Sequence, residues 1–480
     1  MKRILHGIVA ACVTGLLAGQ AFAQTVPPTP NEDDIPRPVD AESSLAGADR
    51  PDIGRFLRVR SAGAPSVSPD GRRVAFRTDI TGEPQVWVVA SDGGWPHQIT
   101  FGEPVTFHAW SPAGDWILYG VDRAGNEREG YYLISPDGTE EREILPPSDA
   151  FRVFGAFTRD GRKIVYATTS EQRPAFDIHT HDLETGEDRR VMEGRMGLYA
   201  TAFSPTGDYV ILTEARGEDA NDVHLLNVQS GEAETLFAPS DRASYQSFSW
   251  TPDGRSFYLA TNHDRGFAAL ARFDLADRSL HWIEEPNHDV SGVQLSPSGR
   301  YLAWTANVGG YSKLHVLDLQ DDDRIEAPTL PHGIYGVTWA SEAPVAAISV
   351  AGPQLPGDVW TWNVASGALH RATHSDAAGL NLSEMVIPES HFFPARDGVT
   401  LHGLLYLPPG LQAGERPPVL ISLHGGPTSQ ARPRFNAAHQ YLLTRGIAVF
   451  DLNYRGSSGF GKQFARLNDQ RLREDEIYDL

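Results

Sequence analysis

Short apolar runs of three to five residues, each bounded by a Pro- or Gly-bearing turn, alternate with polar stretches through most of this chain. One turn recurs as Ser68-Pro69-Asp70-Gly71, Ser111-Pro112-Ala113-Gly114, Thr158-Arg159-Asp160-Gly161, Ser204-Pro205-Thr206-Gly207, Thr251-Pro252-Asp253-Gly254 and Ser296-Pro297-Ser298-Gly299. Its glycines lie 43, 47, 46, 47 and 45 residues apart. Proline favours the second position of such a turn, and glycine accepts the positive φ that follows. A β-branched or aromatic run comes after each turn: Val74-Ala75-Phe76, Trp116 to Tyr119, Lys163 to Tyr166, Tyr209 to Leu212, Phe257-Tyr258-Leu259 and Tyr301 to Trp304. Second runs such as Val86 to Val89, Tyr131 to Ile134 and Val223 to Leu226 follow, so each unit reads as about four short strands.

A seventh unit is degenerate. Gly336 to Ser341 aligns with Gly292 to Pro297 but lacks the Pro-x-Gly turn, and Val359 to Trp362 supplies its later strand. A period in the forties with strand content predicts an all-β propeller, and residues 51–375 hold seven units of about 46 residues. Seven blades is the expectation, with six or eight as the neighbouring counts. A propeller serves as scaffold, binding platform or filter, so the repeat speaks to fold and not to function. His108, His179 and His181 recur at no metal-ligand spacing and read as turn and surface residues.

The pattern changes after 375. Residues 376–389 read as a connector. His391 to Phe393 and Val399 to Leu407, joined by Arg396-Asp397-Gly398, read as a β-hairpin. An apolar strand, Val419 to Leu423, runs into His424-Gly425-Gly426-Pro427. Pro433 suits the first turn of a helix, Phe435, Ala438, Tyr441 and Leu442 share one face, and Gly446 suits its C-terminal cap. A second apolar strand, Ile447 to Leu452, precedes the glycine-rich Asn453 to Gly461, and a charged helix is expected over 464–480. Strand–helix–strand is the grammar of a doubly wound sheet. Acyl transfer gives the glycines a purpose. Backbone N–H groups stabilise the oxyanion of a tetrahedral intermediate, and glycine lets the backbone come close. The same four residues also serve as a plain strand-to-helix turn; their place after a strand favours the oxyanion reading, at Gly425 and Gly426.

Composition narrows the rest. The chain has 480 residues, 40% of them hydrophobic, and a net charge of −21. Two or more domains are expected at that length. The acidity argues against a nucleic-acid partner, because phosphate binding needs a basic surface. No motif calls for a cofactor; Asn453 to Gly461 lacks the Lys-Ser/Thr of a Walker loop. At the N-terminus, Lys2-Arg3, the apolar Ile4 to Leu17 and Ala21-Phe22-Ala23 read as a secretory signal peptide over 1–23; the alternative, an uncleaved anchor, is weaker because Gly15, Gly19 and Gln20 make a poor span. Removal of the signal peptide also removes Cys12, the single cysteine, and leaves no membrane span. The proline-rich, acidic 24–50 reads as a flexible linker.

Taken together, His424-Gly425-Gly426-Pro427, the run Asn453-Tyr454-Arg455-Gly456-Ser457-Ser458-Gly459-Phe460-Gly461, Asp479 and the propeller before them resemble the prolyl oligopeptidase family of serine peptidases, in particular its acylaminoacyl-peptidase-like and dipeptidyl-peptidase-like branches. The resemblance implies an α/β-hydrolase domain, begun over 390–480, that hydrolyses short peptides behind the propeller. His424, Pro427, Tyr454, Arg455 and Gly456 would support the oxyanion turn. Some branches place a tyrosine donor where His424 stands, so here the implied donors are the N–H groups of Gly425 and Gly426. The family's nucleophile sits on a Gly-x-Ser-x-Gly elbow. No serine among the 480 has glycine at both positions two away; Ser458 has Gly456 before it but Phe460 after. Ser, Asp and His of the triad follow in that order in this fold and are expected beyond Leu480. The 480 residues are therefore expected to be a C-terminally truncated, inactive form. A propeller binding module with no catalysis, and an esterase of the same fold, are the other readings. A half-built sheet should leave an unpaired edge at Ile447 to Leu452, with residues 390–480 loosely ordered or aggregation-prone.

Overall fold

The computed structural model describes residues 51–170, 173–426 and 428–479. The signal peptide (1–23), the linker (24–50) and Pro427 lie outside the described residues. Seven four-stranded antiparallel sheets follow one another over 62–98, 105–145, 152–195, 198–237, 245–284, 290–325 and 334–371. Strands neighbour in chain order within each sheet, which makes each a propeller blade. The seven-bladed propeller read from the repeat is the observed architecture, and the degenerate seventh unit is a full blade. The recurring turn works as its sequence demands. Gly71, Gly161 and Gly254 sit at φ +72°, +71° and +68°, and their N–H groups reach the carbonyls of Ser68, Thr158 and Thr251 at 2.9 Å.

Alternating residues fill the space between blades. Ile211, Val223 and Leu225 of blade 4 meet Phe257, Leu259 and Phe273 of blade 5. The ring closes the same way: Val67, Val74, Phe76 and Val89 of blade 1 pack on Ala340, Val345, Ala347 and Val359 of blade 7. Blades 1 and 7 share no strand. His108, His179 and His181, expected at turns and on the surface, lie instead within strands of blades 2 and 3. Both ring nitrogens of His108 are buried. His179 and His181 both turn to Asp188, at 2.7 and 3.3 Å. The alternation of a strand buries His181 and the His108 ring nitrogens and leaves His179 half-buried, where the residue type alone points outward.

An eighth, mixed sheet follows the propeller. Helix α1 (Ile53–Phe56) precedes blade 1; strands β1 (Glu389–Pro394), β2 (Thr400–Tyr406) and β3 (Val419–Leu423), helix α2 (Ala437–Thr444) and strand β4 (Ala448–Asn453) come after blade 7. The order is β1-β2-β4-β3. β1 and β2 form the expected hairpin, β2 pairs antiparallel with β4, and β3 pairs parallel with β4 from Val419↔Ala448 to Leu423↔Leu452. β4 is therefore an inner strand. The open edge lies at β3 and not at Ile447–Leu452, because β4 threads between β2 and β3. Gly403 of β2 permits that pairing: a Cβ there would stand 2.2 Å from the Phe450 ring of β4. Val419, Leu420, Ile421 and Leu423 are 54, 41, 51 and 46% exposed, so β3 is uncovered on both faces.

Helix α2 begins later than Pro433 would set it. Asn436 is the N-cap and its side chain accepts the His439 N–H at 3.1 Å, a stronger start signal than proline. The buried face shifts with it, from the expected Phe435, Ala438, Tyr441 and Leu442 to His439, Gln440, Leu443 and Thr444. Gln440 exchanges two hydrogen bonds with the Val386 backbone, and Leu443 packs on Leu404, Tyr406 and Val449. Gly446, at φ +77°, ends the helix, with its N–H on the Leu443 carbonyl and the Ile447 N–H on that of Leu442, a Schellman cap. The single charged helix expected over 464–480 is broken into α3 (Lys462–Ala465), a 3-10 turn (Gln470–Leu472) and α4 (Arg473–Ile477).

Candidate active site

β3 delivers the chain to His424, Gly425 and Gly426 at its C-terminal end, the end at which parallel sheets carry their chemistry. Both glycines are exposed, and Gly426 is left-handed at φ +64°. No atom lies within 4 Å of a Cβ built on either. Among the described residues, neither N–H has a backbone acceptor. The turn is thus open toward solvent, and only Gly426 needs glycine for its backbone angle. Pro427 completes the motif outside the described residues.

The His424 ring is fixed from two sides. It stacks on Tyr454, 4.5 Å between centroids and 17° between planes, and the Tyr454 hydroxyl donates to the His424 carbonyl at 3.0 Å. Its Nε2 lies 2.8 Å from Ser457 Oγ. A serine beside a histidine invites a catalytic reading, but the hydrogen bonds exclude one. Ser457 is fully buried and its single hydroxyl proton goes to the Tyr454 carbonyl at 2.6 Å. Ser457 therefore accepts from Nε2–H of a neutral His424. Burial holds the His424 pKa below the ordinary histidine value, in keeping with that state.

Asn453 ties the stretch after the glycines to the sheet. Fully buried, it accepts the Ala431 N–H at 2.7 Å and donates to the Ala431 carbonyl at 3.1 Å, while its amide also meets His402 Nδ1 at 2.9 Å. His402 Nε2 faces Ser390 Oγ at 2.8 Å, and burial pushes its pKa down to about 3. Neither residue had been given a role from sequence, although a lone asparagine ending an apolar strand is a signal for such a clamp.

Arg455 and Gly456 shape the following loop from beneath. The Arg455 guanidinium, 4% exposed, binds Asp479 through Nε and Nη2 at 2.8 and 2.7 Å and Asp397 at 2.8 and 3.1 Å. Asp397 is held below the usual carboxylate range, chiefly by its hydrogen bonds from Arg455; the two carboxylates push the Arg455 pKa above its ordinary value. Gly456, at φ +95°, leaves no space for a side chain, since a Cβ would fall 2.1 Å from Asn468 Nδ2. Tyr454, Arg455 and Gly456 are thus brought under His424, Gly425 and Gly426 and lie behind the turn. Among the described residues, no cluster of three or more His, Cys, Asp or Glu is placed to hold a metal.

From Thr428 on, the segment after the turn lines a cavity of about 530 Å³ between blades 4–6 and the mixed sheet. Thr428, Ser429, Gln430, Arg432 and Arg434 form one wall, and Asn221, Asn262, Asp289 and Asn307 line the propeller side. The two bodies are joined around it by direct bonds. Asn307 donates to Gln430 at 2.7 Å, and Arg432 reaches Gly310 O at 2.7 Å and Ser312 Oγ at 3.1 Å. On the far side Arg466 bridges Asp219 and Asp241, Lys462 pairs with Asp241, and Arg242 pairs with Asp469.

Known proteins place this arrangement. Dipeptidyl aminopeptidase BIII of Pseudoxanthomonas mexicana is 24% identical over 462 residues, covering 89% of this chain and 65% of its own length. Dipeptidyl peptidase family member 6 of Caenorhabditis elegans is 21% identical, over 83% of this chain and 60% of its own. The chain thus spans less than two thirds of the length of either. A solved prolyl endopeptidase structure superposes with a TM-score of 0.74 at 16% identity, over 89% of this chain and 66% of that one. Puromycin hydrolase superposes at 0.72 and 19%, over 92% and 73%. At such identities these two structures speak to the fold. Residues 103–353 match the model of the prolyl oligopeptidase N-terminal beta-propeller domain. Propeller, mixed sheet and that match over more than half of the sequence agree, and the chain belongs to the prolyl oligopeptidase family.

Proposed function

We propose that these residues form the propeller and the oxyanion-bearing first part of an α/β-hydrolase domain, in an exported serine peptidase that hydrolyses short peptides. The observation that carries this reading is the His424-Gly425-Gly426 turn at the C-terminal end of β3, its two glycines exposed and the segment after it lining the cavity under the propeller. Donors of this kind act only when preorganised, since their contribution comes from not having to move as charge develops. The stacking of His424 on Tyr454 and the Asn453 clamp on Ala431 supply that rigidity. The cavity supports a peptide substrate: it falls within the ~300–1,000 Å³ typical of small-ligand sites, and amide side chains suited to peptide groups line it.

Hydrolysis also needs a nucleophile and a base, and an oxyanion turn alone supplies a small part of the acceleration. Ser457 is buried and committed, so the 480 residues by themselves are inactive as a peptidase. A fluorophosphonate probe applied to this 480-residue protein labels no serine specifically, and a fluorogenic dipeptide is not turned over. Specific labelling of a single serine would overturn the assignment of the turn as one half of a site. Export rests on residues 1–23, and N-terminal sequencing of protein from the cell envelope should begin at Gln24.

A further inference from the structure

One wall of the cavity carries two arginines to which no carboxylate is bonded among the described residues. Arg432 and Arg434 both line it, two residues apart in a non-helical segment. Arg432 spends Nε and Nη2 on neutral acceptors of the propeller, Gly310 O and Ser312 Oγ. Arg434 is exposed to the cavity and makes no hydrogen bond or ion pair among the described residues. The two cations bear on each other: burial first, and then the Arg434 charge, push the Arg432 pKa down to about 10.

Carboxylates that could compensate them are engaged elsewhere. Asp219 faces Arg242 and Arg466. Asp289 accepts the N–H groups of Ala268 and Gly461. Glu218 accepts the Thr428 hydroxyl. Elsewhere around the cavity cations are paired, as Lys462 is with Asp241. Two neighbouring guanidinium groups to which no carboxylate is bonded, among the described residues, offer a place for an anion, and the planar fork of arginine fits a carboxylate.

We propose that Arg432 and Arg434 form a carboxylate-binding subsite, which takes a negatively charged group of the peptide held in this cavity. The inference rests on the cavity being the substrate site, as argued above. Arg434, with its donors free, makes the direct contact, and Arg432, anchored to Gly310 and Ser312, sets the depth. The carboxylate comes either from the free C-terminus of a short peptide or from an acidic side chain. Both present the same two oxygens, and Arg434 lines the same cavity as Thr428 and Ser429, which follow the proposed oxyanion turn in the chain.

Fluorescence anisotropy on the 480-residue protein separates the cases with three probes: dansyl-Gly-Ala-Ala as free acid, its C-terminal amide, and dansyl-Gly-Glu-Ala amide. The free acid should bind about tenfold or more tighter than the neutral amide, the size of a charge-assisted hydrogen bond. Arg434→Gln should erase that difference and Arg434→Lys restore part of it. An unchanged melting curve is expected for both, since Arg434 makes no contact that folding uses. If the Glu-bearing amide binds as the free acid does, a side chain is an equally good source; if it binds as the neutral amide, the subsite reads the C-terminus. Equal binding of the free acid and both amides, or a preference that survives Arg434→Gln, would overturn the proposal and leave the peptide site standing. Failure of all three probes to bind would overturn the peptide site itself, and the subsite with it.

Discussion

Replacing Arg455 by alanine tests how the loop after β4, next to the His424-Gly425-Gly426 turn, is held. In the native arrangement the Asp479 side chain is fully buried and receives three bonds from Arg455: backbone N–H at 3.0 Å, Nε at 2.8 Å and Nη2 at 2.7 Å. Truncation removes two of them and, among the described residues, the only cation paired with that carboxylate. A buried charge that loses its partner costs about 3–5 kcal/mol. Asp397, with its side chain 42% exposed, adds little to that figure because water replaces its partner. At about 1.4 kcal/mol per decade, the loss equals two to three and a half decades of local opening. Hydrogen exchange of the β4 amides reads it directly. β4 leads straight into Tyr454 and Arg455, so its protection should fall by that factor, while strands of blades 2 to 5 keep theirs. Arg455→Lys should recover only part, since an ammonium cannot reproduce the two-sided fork. Native β4 protection in Arg455→Ala would refute the claim that this ion triad holds the loop.

Four further outcomes follow from the same geometry. Gly456→Ala combines a left-handed backbone with a contact at 2.1 Å to Asn468 and should cost more than ~1–2 kcal/mol, read as a lower melting temperature of the mixed sheet; Gly425→Ala, with open space around it, should leave that melting unchanged. His402, buried near pKa 3, stays neutral when folded while the unfolded chain takes a proton below pH 6.5, so its share of stability is complete above pH 6.5. That share drains at about 1.4 kcal/mol per pH unit as pH falls toward 3, and His402→Gln should flatten this part of a urea-stability profile. Ile421→Lys on the exposed β3 edge should lower dye binding and self-association in light scattering without shifting the propeller melt. Arg466→Ala removes the bridge to Asp219 and Asp241 and, like about 1 M salt, should enlarge the radius of gyration in X-ray scattering; an unchanged radius would mean that the bridge does not hold the two bodies together.

The sequence made the propeller legible because its turn chemistry is local. Ser-Pro-Asp-Gly closes one hydrogen-bonded turn wherever it occurs, and its spacing then counts the blades. The mixed sheet was legible strand by strand but not in its order. Nothing in Ile447 to Leu452 says that it inserts between β2 and β3, since Gly403, which admits Phe450, lies far off in the chain. Helix α2 shows a contest between signals: Pro433 permits a helix, but Asn436 starts one by satisfying the His439 N–H. The site divides in the same manner. Gly425 and Gly426 declare themselves through their spacing after a strand. Asn453, His402 and the Arg432–Arg434 pair act through partners 22 to 122 residues away, and no local pattern announces a bond of that length.

The junction of blades 1 and 7 has a mechanical consequence. It closes the ring with apolar side chains and no shared strand, and both chain passages to the rest of the molecule leave from it. Phe56 of α1 before blade 1 and Leu380 and Met385 after blade 7 meet Tyr441 of α2 in one small core, and the Arg60 N–H binds the Asp376 carbonyl at 2.9 Å. Asp219 and Asp241, with Arg466 and Lys462 on them, sit at blade 4 and the step to blade 5, across the ring from that junction. The mixed sheet is thus moored at two opposite points of the ring, one apolar and one charged, and salt should loosen only the second.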